Sequence, residues 1–188
     1  FLSYGSFKTV EAGLDVGGPL DKAGVWLYRL TGFIREGANE MDYSDNDRFY
    51  IATALTWQPD ADTALTILTN YQWDKLEPLS FLPVAGQDYP AAFGKLRRSF
   101  FAGSPDFNRY DARHGSIGYQ FSHAFSEQWT VRQNARFSRQ DTDYRDLYYG
   151  DFAGGPGMID DHTMARTIFT VDEVATIFNV DNQIEYDA

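Results

Sequence analysis

Arg29, Arg132 and Arg136 are the residues whose type and spacing carry the most chemical content. Each sits on the polar face of an alternating segment, where a guanidinium attracts anions or pairs with acids on neighbouring strands. Pairing is the stronger reading, because charges facing an enclosed space usually need partners. The remaining reactive residue types do not converge. His114, His123 and His162 are scattered and make no metal-ligand or triad spacing. Asp42, Asp45 and Asp47 are close together, but their spacing is not that of a calcium loop. They read as a solvated loop, or one bridged to lipopolysaccharide. Gly154-Gly155-Pro156-Gly157 lacks the Lys-Ser/Thr of a phosphate-binding loop and reads as a flexible connection. No Ser/His/Asp arrangement and no paired carboxylates are marked. Cysteine is absent, which excludes thiol catalysis, Cys-ligated zinc and a disulfide scaffold. The residues point to binding, with no catalytic and no metal site.

The segments that position these residues are strands. In Trp129-Thr130-Val131-Arg132-Gln133-Asn134-Ala135-Arg136-Phe137-Ser138, one face carries Trp129, Val131, Ala135 and Phe137. The other carries Thr130, Arg132, Asn134, Arg136 and Ser138. Strict alternation predicts a strand with one apolar and one polar face. Eight such segments are expected. They are 1–4 as a strand end, then 8–17, 25–35, 48–58, 63–74, 109–125, 129–138, and one within 163–186.

Connections after the second, fourth and sixth segments are short: 18–22, 59–62 and Ser126-Glu127. Those after the third, fifth and seventh are long: 38–47, 77–106 and 141–162. Sorting by length is expected when short turns face the periplasm and long loops face outside. Trp57 and Trp129 flank short turns, where an interfacial belt would lie. The fold expected is all-β: an antiparallel transmembrane β-barrel segment.

Composition agrees. Aromatics make up 16% of the 188 residues. Mean hydropathy is negative, as in barrel strands, which are apolar on one face only. No run approaches the roughly 18 apolar residues of a spanning helix. The net charge of −11 disfavours nonspecific nucleic-acid binding. Two rival architectures make different predictions. A complete eight-stranded outer-membrane barrel with a structural or adhesion role requires the first and last strands to pair. A soluble β-sandwich or lectin-like module requires the apolar faces to meet each other.

Several stretches resemble the TonB-dependent ferric-siderophore receptors. Tyr4-Gly5-Ser6-Phe7 followed by Asp15-Val16-Gly17-Gly18-Pro19-Leu20 looks like the family's first barrel hairpin, and Tyr28-Arg29-Leu30-Thr31-Gly32 like its next strand. Ile51-Ala52-Thr53-Ala54-Leu55-Thr56-Trp57-Gln58-Pro59-Asp60 matches a further segment, with Thr53 where the family has proline. Phe81-Leu82-Pro83, Gly94-Lys95 and Phe107-Asn108-Arg109-Tyr110 resemble the third extracellular loop. The segment 129–137 is the most specific match. The likeness covers essentially the whole chain, and the nearest subgroup is the ferrichrome and hydroxamate type.

The resemblance implies a receptor of a Gram-negative outer membrane, in contact with its lipid and lipopolysaccharide, with a barrel of about 22 strands and a plugged lumen. Residues 1–188 are then expected to be the N-terminal part of that barrel, without the plug and the remaining strands. The implied ligand is a ferric siderophore, of hydroxamate type, with no cofactor. The implied partner is TonB-ExbB-ExbD, acting through the plug. Implied ligand contacts are Phe81 and Leu79 in the third loop and Tyr148 and Tyr149 in the fourth. Phe81 takes a tryptophan position, and Leu79 stands where the family has tyrosine, so a hydrogen-bonding contact is lost there. A siderophore has already satisfied its iron, so its receptor offers aromatic surface and a few hydrogen-bonding groups.

Overall fold

In the computed structural model, which describes residues 1–77, 82–89, 91–150, 157–160 and 162–187, eight antiparallel strands follow one another in chain order. They are β1 (Leu2–Tyr4), β2 (Val10–Pro19), β3 (Trp26–Glu36), β4 (Asn46–Trp57), β5 (Thr63–Leu76), β6 (Arg109–Ala124), β7 (Trp129–Tyr149) and β8 (Arg166–Tyr186). Each pairs with its sequence neighbours. β1 pairs only with β2, and β8 only with β7, so the sheet is open at both edges. The complete small barrel, which needs a ladder between first and last strands, is therefore corrected to an unclosed barrel segment.

The register explains the alternation. One line across the sheet runs Tyr28, Leu55, Ile67, Tyr119, Ala135, Val180. One residue along, the line reads Arg29, Ala54, Leu68, Gly118, Arg136, Asn179 and belongs to the polar face. Successive side chains of a strand point to opposite faces, so a single register sorts every strand at once. Nothing among the described residues covers the apolar face. Among the described residues only Ala102 and Ala112 are buried hydrophobics, while Leu55, Ile67, Ile117, Phe137 and Val180 stay exposed. The sandwich reading required two apolar faces in contact, and this is one layer. Such a face is unstable in water and suited to lipid.

Aromatic pairs mark the short-turn end: Trp26 and Trp57 have centroids 6.4 Å apart, Trp129 and Tyr186 4.8 Å. From there the sheet lengthens. β7 and β8 have 21 residues each, about twice the 9–11 that cross a bilayer. The connection expected over 141–162 is thus corrected: residues 141–149 continue β7. Both faces are polar there, so no apolar period announces the strand. One cross-strand ion pair, from Arg109 of β6 to Asp143, and two pairs within β7 line it. On the outward face Asp143 takes Arg109 at 2.5 Å and Arg145 at 3.0 Å, and Arg139 lies 3.5 Å from Asp141.

Gln133 interrupts the apolar face of β7. The Tyr119 hydroxyl donates to its Oε1, and its Nε2 donates to Asn182 Oδ1 at 2.7 Å. In lipid an unpaired amide has no water to turn to. Asn182→Leu alone should therefore cost about 1–3 kcal/mol, because it leaves the Gln133 amide unpaired. Adding Gln133→Leu and Tyr119→Phe should restore most of that loss. Urea unfolding from lipid vesicles checks this. A single variant as stable as the parent would show that the trio contributes nothing.

Candidate functional site

At the long-connection end, the polar-face positions of β7 read Thr142, Tyr144, Asp146, Tyr148, every second residue of the strand extension. Asp146 is fully buried. It accepts a hydrogen bond from Asn108 Nδ2 at 2.5 Å and one from the Tyr144 hydroxyl at 3.2 Å. Asn108 precedes β6, and its Oδ1 accepts from the Ser104 backbone N–H at 3.0 Å. Asp146 thereby ties the end of the 82–108 connection to β7.

The Tyr144 and Tyr148 hydroxyls are 2.8 Å apart. Tyr144 has one proton, and directing it to Asp146 makes Tyr148 the donor within the pair. Burial, then the Tyr148 hydroxyl, hold the Tyr144 phenol well above the usual tyrosine range, so it remains a donor. Phe169 of β8 lies opposite Asp146 in register, with its ring 5.8 Å from Tyr144 and 5.5 Å from Tyr148. Tyr110 adds an edge contact to Tyr144 at 6.2 Å. Together these form an aromatic wall whose hydroxyls are oriented by a buried carboxyl.

Glu77 follows β5 at the same end. Its Oε1 is buried with no hydrogen-bond partner among the described residues. Burial first, then the charges of Asp45 and Asp146, push its carboxyl up to about 7. Nearby, the 37–45 and 82–108 connections are clasped together. Arg97 reaches Asp42 at 2.9 Å and Arg98 reaches Glu40 at 3.1 Å. The Asp42 N–H donates to Ser99 O at 2.8 Å, and Tyr43 packs on Phe101 at 6.0 Å.

The structure separates the residues singled out from sequence. Tyr148 joins the polar-face cluster. Tyr149, next along the strand, points to the other face and packs over Gly157, where an added Cβ would come within 2.3 Å of the ring. Leu79 and Phe81 lie outside the described residues, as do Gly154, Gly155 and Pro156. Two of the three arginines are paired with neighbouring strands: Arg29 bidentately with Asp15, at 2.9 and 2.6 Å, and Arg132 with Glu185. Arg136 has no ion-pair or hydrogen-bond partner among the described residues. It lines a hollow of about 250 Å³ of mixed character, with Gln120, Asn134, Asn179 and Asp181 beside Leu68 and Val180. Sequence reasoning missed Asn108, Tyr144, Asp146 and Phe169 as site residues. The signal was the period-two run through 142–148, legible only once that stretch is read as strand.

No protein-family model matches the chain. A ferrioxamine receptor of Yersinia enterocolitica is 32% identical over 188 residues, covering 99% of this chain and 25% of that protein. The ferrichrome outer membrane transporter and phage receptor of Escherichia coli K12 is 30% identical over 194 residues, covering 96% and 26%. The chain thus spans about a quarter of the length of the curated relatives it matches. In fold it is similar to the ferric-catecholate import receptor of Escherichia coli K12 in its open form. That match has a TM-score of 0.83 at 21% identity and covers 97% of this chain and 30% of that one.

Proposed function

This chain belongs to the family of TonB-dependent outer-membrane siderophore receptors, matching part of a larger barrel, and from that membership we propose that it contributes a wall of the ligand site of a ferric-siderophore receptor. It lies in the outer membrane and is not an enzyme. In our reading residues 1–188 are the N-terminal part of the barrel domain. The cargo is a hydroxamate siderophore, taken up with energy from TonB-ExbB-ExbD through a plug. The matches to receptors for ferrioxamine and ferrichrome support the hydroxamate class.

The observation that carries the reading is Tyr148. Its ring stands on the polar face beside Phe169, and its hydroxyl is held through Tyr144 by the buried Asp146. A preoriented aromatic with a polar tip suits the shell of a chelate that has already satisfied its metal. In this reading Phe81 and Leu79 of the third loop also contact the ligand. Tyr149 supports the fourth loop from the outward face.

Uptake of iron from a panel of ferric siderophores, by cells depending on this receptor, tests the proposal. One hydroxamate should be taken up, and uptake should stop when TonB is removed. Tyr148→Ala should weaken binding of that siderophore about 10- to 30-fold, the loss of an aromatic contact worth roughly 1.5–2 kcal/mol. Tyr149→Ala should change it far less. TonB-independent uptake, or no uptake of any siderophore, would reject the function. Equal effects of the two tyrosines would reject the assigned wall.

A further inference from the structure

The 157–165 connection carries a small hairpin of unusual composition. Met158 and Met164 face each other across an antiparallel bridge. The Ile159 N–H donates to Thr163 O at 2.8 Å, and the Ala165 N–H to Gly157 O at 2.9 Å, which close the hairpin. At its tip the His162 N–H donates to Asp160 Oδ1 at 2.7 Å, fixing the backbone that carries the imidazole. Facing residues of an antiparallel pair project to the same side, with Cβ atoms about 4.5–5.5 Å apart. The two thioethers therefore start as neighbours.

All three side chains line one cavity of about 170 Å³, closed on the other side by Phe93, Leu96 and Phe100 of the 82–108 connection. Two of the three methionines in the sequence, and one of its three histidines, thus meet in a space holding a handful of waters. The methionines are half-buried and His162 is exposed at the rim. No hydrogen bond engages the His162 ring among the described residues.

We propose that Met158, His162 and Met164 form a binding site for a soft monovalent metal ion, Cu(I). Thioether sulfur and imidazole nitrogen are neutral donors that select Cu(I) over hard cations. A single positive charge is also the smallest ionic charge to bring into an apolar cavity, where higher charges lose more hydration. Among the described residues, no three His, Cys, Asp or Glu side chains gather to hold a metal. The site uses none of the Tyr148 cluster and does not rest on the siderophore reading.

Plain packing would use the same side chains, so the test must separate sulfur from shape. Met158→Leu/Met164→Leu keeps apolar volume and removes both sulfurs. The detergent-purified protein is titrated anaerobically with Cu(I) against a chromophoric Cu(I) chelator. Ag(I) serves as a redox-inert probe for the methionine methyl resonances. The parent should take one Cu(I) from the chelator, and Ag(I) should shift two methyl signals that vanish in the double variant. The double variant should bind at least tenfold more weakly, and His162→Gln should fall between. A parent that takes no Cu(I), or a double variant that binds as tightly as the parent, would overturn the proposal.

Discussion

Replacing Asp146 with alanine should release the end of the 82–108 connection from β7 at a cost of about 3 kcal/mol, leaving the spanning part of the sheet intact. Asp146 is fully buried and is the shared acceptor for Asn108 and Tyr144. Its removal takes away an acceptor that two donors share. Losing an acceptor in a buried place costs a donor roughly 1–3 kcal/mol, and the Asn108 bond is the one that holds the connection to β7. The Asp146→Asn variant keeps shape and one acceptor oxygen, so it should cost less. Hydrogen exchange over 101–108 reads the effect directly. In Asp146→Ala those amides should lose protection, while the β5 and β6 ladders below should not. The same variant removes the acceptor that orients Tyr144, and through it the Tyr148 hydroxyl. Affinity for ligand should therefore fall even though Asp146 is itself buried. Unchanged exchange over 101–108 would mean that the connection is held by its other contacts, such as the Arg166 guanidinium on Ala102 O and Gly103 O at 3.2 and 2.9 Å.

The part of this fold legible in the sequence is the part bathed in lipid. Between Trp129 and Ser138 one face must be apolar, so the period of two is visible and its phase tells which residues look inward. The alternation of short and long connections was legible for the same reason, since both are punctuated by the ends of apolar runs. Above the lipid that constraint lapses. Residues 141–149 are strand because the ladders with β6 and β8 continue there, with Asp143 paired to Arg109 and Asp146 held by Asn108. The pairings with Arg109 and Asn108 depend on partners distant in sequence, and with polar side chains on both faces no apolar period marks the stretch. Gln133 is the converse case. It breaks the apolar pattern inside the lipid zone, and only the register shows Asn182 and Tyr119 waiting for it. The candidate site straddles the boundary. Tyr148 was reached through the family likeness, but the carboxyl and phenol that orient it were hidden in a stretch that reads as loop.

Glu77 gives the second large expectation, a pH dependence with a defined sign. Its carboxyl lies at about 7 in the folded protein, raised from 4.5 by burial first and by Asp45 and Asp146 next. A carboxyl raised on folding binds its proton more tightly in the folded state. Its contribution is full below about 4.5 and is lost as pH rises to about 7. Above that value the ionised group sits beside two other acids with its Oε1 unpartnered. Glu77→Gln keeps the shape and removes the charge. The variant should match the parent near pH 4.5 and become the more stable of the two above pH 7. The unscreened limit for such a shift is about 3 kcal/mol. The side chain is partly exposed, so about 1 kcal/mol is the expected gap. Urea unfolding midpoints of both proteins in detergent, measured from pH 4.5 to 8, give the comparison. Parallel curves would show that Glu77 ionises freely in the folded state. A gap that opens on acidification would reverse the sign and mean that the nearby Lys75 cation outweighs burial and the two acids at Glu77. A gap that opens as pH rises would identify this carboxyl as the group that loosens the long-connection end near neutral pH, where Asp146 and the clasped connections meet.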